Sequence, residues 1–417
     1  MQTIERERGG MYKHVRPESA ARCAFVTFRA AMRVLHLIST IDPAAGGPTE
    51  VVRMLVELAP PGTQSEIVTV DAPSAPFLAA IPCPVHALGP PRTPLQYSPR
   101  LVPWLRANRS RFDGVIVHGL WSTVAASARV ALHGHVPYVV FPHGMLDPWF
   151  RIGAPLKHAR KWIYWHLAEA RALRAAHRVL FTTAVERELA VQSFGNPGWR
   201  TEVTPLGAMP QPPATAADAA AFYARCPQVK GKRALLFLGR IHPKKGVDLL
   251  VEAFAAEASE HQEAGKQQDV HLVMAGPGEE SLLAALRQAA ERGGVGARVH
   301  FPGMLRDAAK AGAFACCEAF ALPSHQENFG VAVVEAMAAG RPVLISNKVN
   351  IAPEIALDGC GLVAADTLAG TRSMLAKWFA LTVDERAAMG VRASETAASR
   401  YDMRANTARI LQTLRTP

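Results

Sequence analysis

No uninterrupted apolar run in the 417 residues approaches the roughly 18 that a membrane-spanning helix needs, so no spanning segment is expected. A signal peptide is not expected either, because Met1 to Gly10 alternates Glu and Arg where an apolar stretch would be required. The six cysteines, at 23, 83, 226, 316, 317 and 360, include no Cys-x-x-Cys and no His pairing. That spacing argues against a structural zinc site and reads as cytoplasmic thiols. Asp-x-Asp is missing, and no His/Asp/Glu cluster has metal-ligand spacing, so neither a metal nor a cofactor is expected. Gly-x-Gly-x-x-Gly is missing too: Gly276-Pro-Gly278-Glu-Glu-Ser281 fails at the third glycine. This sets aside a dinucleotide-dependent oxidoreductase.

What is present describes a globular protein. Hydrophobic residues make up 49% and mean hydropathy is +0.06, which excludes a disordered chain. The length predicts two α/β domains, each with its own core. Charge is uneven: residues 1–180 carry 21 Lys and Arg against 11 Asp and Glu, whereas residues 231–417 carry 21 against 20. The excess points to an acidic partner for the first half. Nucleic acid is not expected despite a pI near 9.6, because the second half is almost neutral and its aromatics do not alternate with basic residues.

Residues 1–31 show no amphipathic period and precede the strand-like Arg33-Val-Leu-His-Leu-Ile-Ser39; they are expected to be disordered, or translation to begin at Met32. From there Val/Ile/Leu-rich runs alternate with helical stretches. Strands are predicted at 33–39, 66–70, 113–117, 137–141 and 178–182, with helices near 48–59, 122–133, 154–176 and 184–193. A Pro/Ala-rich stretch then reads as a connection, and a second series of strands follows at 234–238, 270–275, 298–301, 318–321 and 342–345. Such alternation predicts parallel sheets covered on both faces. The expected domains are 32–210, a linker at 211–231, 232–395, and a last helix within 396–417 that returns to the first domain. Ligands of doubly wound sheets bind at the carboxyl ends of strands.

Two carboxylates stand out there. Glu327 and Glu335 lie eight residues apart, from a loop into an apolar helix in which Val331, Val333, Val334, Ala336, Met337 and Ala338 surround Glu335. A charge in such company is costly unless something binds it. The loop before a helix attracts anions, so the pair suits a ligand with two hydroxyl-bearing parts and phosphate between them. Other blocks accompany it in order: Gly46-Gly47-Pro48, Phe141-Pro-His143-Gly144, Phe237-Leu-Gly-Arg240-Ile-His-Pro-Lys-Lys245-Gly246 and Val273-Met-Ala-Gly276-Pro-Gly278.

In these blocks the chain resembles the retaining glycosyltransferases of family 4 (glycosyl transferases group 1), of the GT-B superfamily. The likeness spans about residues 33 to 345. It implies two Rossmann-like, doubly wound domains facing across a cleft, the first binding the acceptor and the second a nucleotide-sugar. Carried over by position, it implies that Arg240 and Lys245 neutralise the donor diphosphate, that Glu335 takes the ribose hydroxyls and that Glu327 contacts the transferred sugar. The backbone of Asn328, Phe329 and Gly330 would donate to the distal phosphate, and Gly276 would admit the base and ribose. His143 would reach the donor sugar. Gly46 and Gly47, lacking a Cβ, can bring backbone N–H groups against a phosphate or the reacting centre, although a Gly pair in such a turn is often only a turn. His118 and Glu50 are weaker candidates for the acceptor side, since a lone His is usually structural and a Glu in a first turn suits the helix dipole. Same-face transfer with retention and without a metal ion is the implied chemistry, in bacterial surface or exopolysaccharide biosynthesis. A soluble acceptor, such as sucrose phosphate or a storage glucan, is the alternative to a lipid-linked glycan.

One helix has a separate reading. Over Pro155–Ala176, at about 100° per residue, Lys157, Arg160, Lys161, Arg171 and Arg174 fall in an arc of roughly 140°. Trp165 and Tyr164 border it. A cationic stripe beside aromatics suits an anionic membrane surface, which would place a cytoplasmic enzyme peripherally at the inner membrane face; a solvated helix face is the plain alternative.

Overall fold

The computed structural model describes residues 32–151, 155–263 and 269–415; the expectations for residues 1–31 fall outside them. Among the described residues, thirteen strands form two all-parallel sheets. The first contains β1 (Met32–Ile38), β2 (Thr63–Thr69), β3 (Val85–Ala87), β4 (Gly114–His118), β5 (Tyr138–Phe141), β6 (Arg178–Phe181) and β7 (Thr201–Val203), in the order β3-β2-β1-β4-β5-β6-β7. The second contains β8 (Arg233–Leu238), β9 (Val270–Ala275), β10 (Val299–Gly303), β11 (Ala319–Leu322), β12 (Val343–Ser346) and β13 (Gly361–Ala364), in the order β10-β9-β8-β11-β12-β13. Helices cover both faces, which is why β4, β5, β9, β11 and β12 read as unbroken buried runs. Each sheet reverses its strand order once, between β1 and β4 and between β8 and β11, and loops at such switch points form crevices.

The sequence located the central strands to within a few residues. It missed β3, β7 and β13, the short strands at sheet edges, and the helix Leu101–Asn108. The stretch expected as a linker contains a helix, Ala216–Arg225, with a complete capping box between Thr215 and Asp218. Phe222 is buried, and Gly312 of the helix Asp307–Cys316 sits so close that a Cβ there would meet the Asp218 carbonyl at 2.0 Å. This segment is part of the second half's packing.

The chain crosses between the halves twice, side by side. Ala208 bridges Asp402, and Gly207 lies against the backbone of Tyr401 and Met403. The helix Met403–Gln412 then packs on the first sheet: Leu414 touches Gly114 of β4, and Asn406 Nδ2 donates to the Leu206 carbonyl at 3.0 Å. Met403, Ile410, Leu411 and Leu414 are all buried in one core with Met32, Val34 and Ile116. Burying each such side chain contributes about 1.5–3 kcal/mol.

The basic helix departs from its expected form. An α-helix, Pro155–Tyr164, passes into a π turn over Trp165–Glu169, where Ala170 N–H donates to the Trp165 carbonyl, and then into the helix Ala170–Ala175. The extra residue of the π turn rotates the later side chains off the uniform wheel. Trp165, where the π turn begins, points inward, 1% exposed, with its ring centroid 4.7 Å from that of Phe194 and 6.0 Å from that of Trp199, which removes it as a membrane contact. Lys161 is also turned in, 4.8 Å over the Trp121 ring. Arg160, Arg171 and Arg174 are exposed, and Arg174 Nε donates to the Pro197 carbonyl. The Lys157 side chain lies outside the described residues.

Candidate functional site

In the second half, three loops at the carboxyl ends of β8, β11 and β12 are knitted together. Gly246 is left-handed at φ +62°, and a Cβ there would strike the Pro323 carbonyl at 2.1 Å, so only glycine lets the turn Pro243–Lys245 meet the loop after β11. His325 N–H donates to the Lys244 carbonyl at 2.9 Å. Glu327 is pinned by its own backbone, donating to Lys348 and accepting from Asn350, each at 3.0 Å.

That lacing brings the expected charges together. Lys245 Nζ pairs with Glu327 Oε2. Burial lowers the pKa of neighbouring Lys244, opposed by the Glu327 carboxylate. Arg240 is exposed and has no ion-pair partner among the described residues. Glu335, on the helix Val331–Ala338, is held by Lys310 at 2.7 Å. Lys310 comes from the helix beginning at Asp307, and no local pattern marks it as a partner of Glu335. Gly330 caps the Val331–Ala338 helix at φ +77° with no side-chain cap; the Val333 N–H bonds the Gly330 carbonyl at 2.8 Å, and among the described residues the Val331 and Ala332 N–H groups are left for an anion. Phe329 is buried edge-on to Tyr401 at 5.6 Å, so only its backbone can serve a ligand. Gly276, at φ +143°, has an internal reason to be glycine: a Cβ would meet the Gly239 carbonyl at 1.8 Å.

In the first half, Gly46 (φ +93°) and Gly47 start the helix Gly47–Glu57, after β1 and the 3-10 turn Pro43–Ala45. A Cβ on either would meet nothing within 4 Å. Gly46 needs its backbone freedom, whereas Gly47 is required neither by φ nor by any neighbour. Its missing side chain leaves room in the crevice. Glu50 pairs within that helix with Arg53. His118 ends β4 and His143 follows β5; His118 Nδ1 is 3.1 Å from His143 Nε2, and His118 Nε2 is 3.2 Å from His36 Nδ1. Burial pulls all three down, His36 to about 4, His143 to about 3 and His118 well below the usual range, so they are neutral near pH 7.

The two halves meet at these residues. Asn328 Nδ2 donates to Thr182 Oγ1 at 3.2 Å, and Thr182 donates in turn to the buried Glu186 at 2.6 Å. Glu186 also accepts from the Gly144 N–H at 2.6 Å, and burial raises its pKa. A Cβ on Gly144 would lie 2.7 Å from Asn328. Beside this, Gln326 Nε2 donates to Asp147 at 2.9 Å, and Trp149 stacks on His325. Sequence reasoning missed His36, Asp147, Thr182 and Glu186. A His inside an apolar strand was a signal for the first, and Thr183-x-x-Glu186 looked only like a helix cap. Taken together, the cleft presents cations and open N–H donors on one wall and a neutral imidazole with glycine backbone on the other.

Known proteins share the family and fold of this chain. The family model "Glycosyl transferases group 1" matches residues 224–383, and "Glycosyl transferase 4-like domain" matches residues 45–207. A D-inositol 3-phosphate glycosyltransferase from Kineococcus radiotolerans is 28% identical over 312 residues, 71% of this chain and 64% of that protein. A phosphatidyl-myo-inositol mannosyltransferase from Mycobacterium leprae is 34% identical over 117 residues, 28% of each chain. The first curated relatives are matched over only 43–64% of their own length. Among solved structures, Anabaena HepE in complex with UDP and glucose aligns with TM-score 0.70 at 18% identity, over 92% of this chain and 99% of that one. Sucrose-phosphate synthase from Thermosynechococcus elongatus aligns with TM-score 0.71 at 20% identity, over 92% and 98%. At these identities the structures share the fold.

Proposed function

The chain belongs to the group 1 glycosyl transferases and has their two-sheet GT-B architecture; from that premise we propose that it moves a hexose from a nucleotide-sugar to a lipid-linked glycan, with retention and without a metal ion. The observation that carries this reading is the pairing of Lys245 with Glu327 beside Arg240, which has no ion-pair partner among the described residues, at the N-terminus of the Val331–Ala338 helix. A diphosphate brings about two negative charges. Lys245 exchanges the Glu327 carboxylate for phosphate, Arg240 supplies the second cation, and the Gly330–Val331 backbone supplies donors. Glu327, released, accepts from hydroxyls of the sugar, while Glu335, held in place by Lys310, accepts from the ribose diol. Charge grows on the diphosphate as the anomeric bond breaks, so the fixed cations stabilise the transition state more than the ground state. The departing phosphate oxygen takes the acceptor's proton on the same face.

Incubation with labelled UDP-, GDP- and ADP-hexoses and a membrane extract tests this. Label in lipid-extractable glycan with the donor's anomeric configuration supports it; an inverted product or a trapped covalent sugar adduct rejects the mechanism.

The membrane reading keeps Arg160 and Arg171 of the expected stripe but takes its apolar part from side chains other than Trp165. Trp162 (54% exposed), Ile163 and Leu167 (62%) stand out of the helix and its π turn, with Arg160 and Arg171 exposed nearby. An apolar ridge flanked by cations suits an anionic bilayer. A soluble phosphorylated acceptor is the second reading, favoured by the inositol 3-phosphate enzyme among the relatives. Flotation with anionic vesicles separates the two.

A further inference from the structure

Three histidines stand in a row across the first sheet. His36 belongs to β1, His118 ends β4, and His143 follows β5, with adjacent rings 5.5 and 5.4 Å apart. The contacts are Nδ1 to Nε2 at each step, 3.2 and 3.1 Å. His36 and His118 are buried, and His36 Nε2 has no partner among the described residues. His143 alone is partly open to the cleft. Its backbone is left-handed at φ +52°, and Glu186 grips the next N–H, so the turn that carries the ring is held in place.

A neutral imidazole has one N–H and one lone pair. Each nitrogen–nitrogen contact needs one hydrogen and no more. If His36 carries its hydrogen on Nδ1, then His118 Nε2 must accept, His118 Nδ1 must donate, and His143 must also be the Nδ1–H form. The opposite choice puts all three hydrogens on Nε2. A ring of the other tautomer would set two lone pairs or two hydrogens against each other.

We infer that His36 and His118 are positioning residues that bind His143 into a single tautomeric unit, so that the cleft nitrogen of His143 presents either a donor or an acceptor and not a mixture. The inference rests on the reading that His143 faces the donor sugar. The ring then offers one preset hydrogen bond to a sugar hydroxyl, uncharged, and needs no reorganisation when the donor arrives. Two residues that touch no ligand thereby decide what the third can recognise.

The test is a long-range proton–nitrogen spectrum of the full chain labelled with ¹⁵N-histidine, at pH 7 and without ligand. All three rings are expected in the same tautomer, whichever direction that is. His118→Leu interrupts the row and is expected to move the two His143 nitrogens towards an average of both tautomers. His36→Asn keeps a polar atom near the lost Nδ1 and is expected to leave His143 as in wild type. Mixed tautomers along the wild-type row, or His143 shifts unmoved by His118→Leu, overturn the inference. Should His118→Leu not fold, the wild-type spectrum decides by itself. Turnover of His143→Ala with UDP-glucose and GDP-mannose bears separately on the sugar contact: unchanged kcat and KM would remove that reading while leaving the tautomer result standing.

Discussion

Replacing Glu335 with Ala separates a ligand-binding carboxylate from one that serves the fold. In the free protein Glu335 is held by Lys310 at 2.7 Å, and both side chains keep some contact with water. Losing such a pair costs no more than about 1 kcal/mol, because Lys310 can turn outward. With a bound nucleotide the loss is larger: hydrogen bonds to a charged group contribute about 1.5–3 kcal/mol. If the carboxylate holds the ribose diol, Kd weakens by roughly 10- to 100-fold. A nucleotide-sugar at 100 times its wild-type Kd stabilises the wild type by about 2.7 kcal/mol, and a variant weakened 100-fold by only about 0.4 kcal/mol. With an unfolding entropy near 2.1 cal/mol/K per residue, the 417-residue chain gains about 3 °C in Tm in the first case and under about 1 °C in the second. Thermal shift with UDP-, GDP- and ADP-sugars measures this and names the base. An equal shift in both proteins would refute the assignment of Glu335.

Three more expectations follow from the geometry. Gly47→Ala meets no neighbour, so Tm should hold or rise slightly while donor KM increases about tenfold or more through lost room and backbone access; an unchanged KM places the donor elsewhere. Lys245→Met should lower kcat by about 10²–10³-fold with a smaller change in KM, since its charge matters most as the diphosphate leaves; steady-state kinetics on a working donor decides. The buried His36 has its pKa lowered to about 4 by desolvation, so its stabilising contribution is present above about pH 6.5 and is lost as pH falls towards 4. Between pH 7 and 5 this removes about 2 kcal/mol. His36→Asn should lose less stability over that range, and Tm against pH for the two proteins shows whether the curves differ in slope.

Much of the fold was readable because parallel strands buried on both faces announce themselves as short apolar runs, as β4 and β9 do. The missed strands β3, β7 and β13 are three or four residues long and half-exposed, too short to carry a pattern. The helix Ala216–Arg225 was legible in principle, since Thr215-x-x-Asp218 is a cap signature, but the prolines before it dominated the reading. Local spacing marked Glu327, Glu335 and Lys245; the partners that hold them were hidden. Nothing in the sequence connects Lys310 with Glu335 or His36 with His118, because those contacts follow from strand order and helix packing. The wheel put Trp165 at the border of the basic arc, and which side of that border faces inward is decided by Phe194 and Trp199, which come from later in the chain.

The helix Met403–Gln412 has a consequence for how the molecule is born. A chain emerging from the ribosome makes β1 to β7 first, and domains commonly fold as they emerge. Here Met32, Val34 and Ile116 share a core with Ile410, Leu411 and Leu414. Until residue 414 has been synthesised, the first half keeps an apolar seam open to water and to other nascent chains. The half that is made first is the half that is finished last, and a ribosome stalled within the second half would leave that seam exposed.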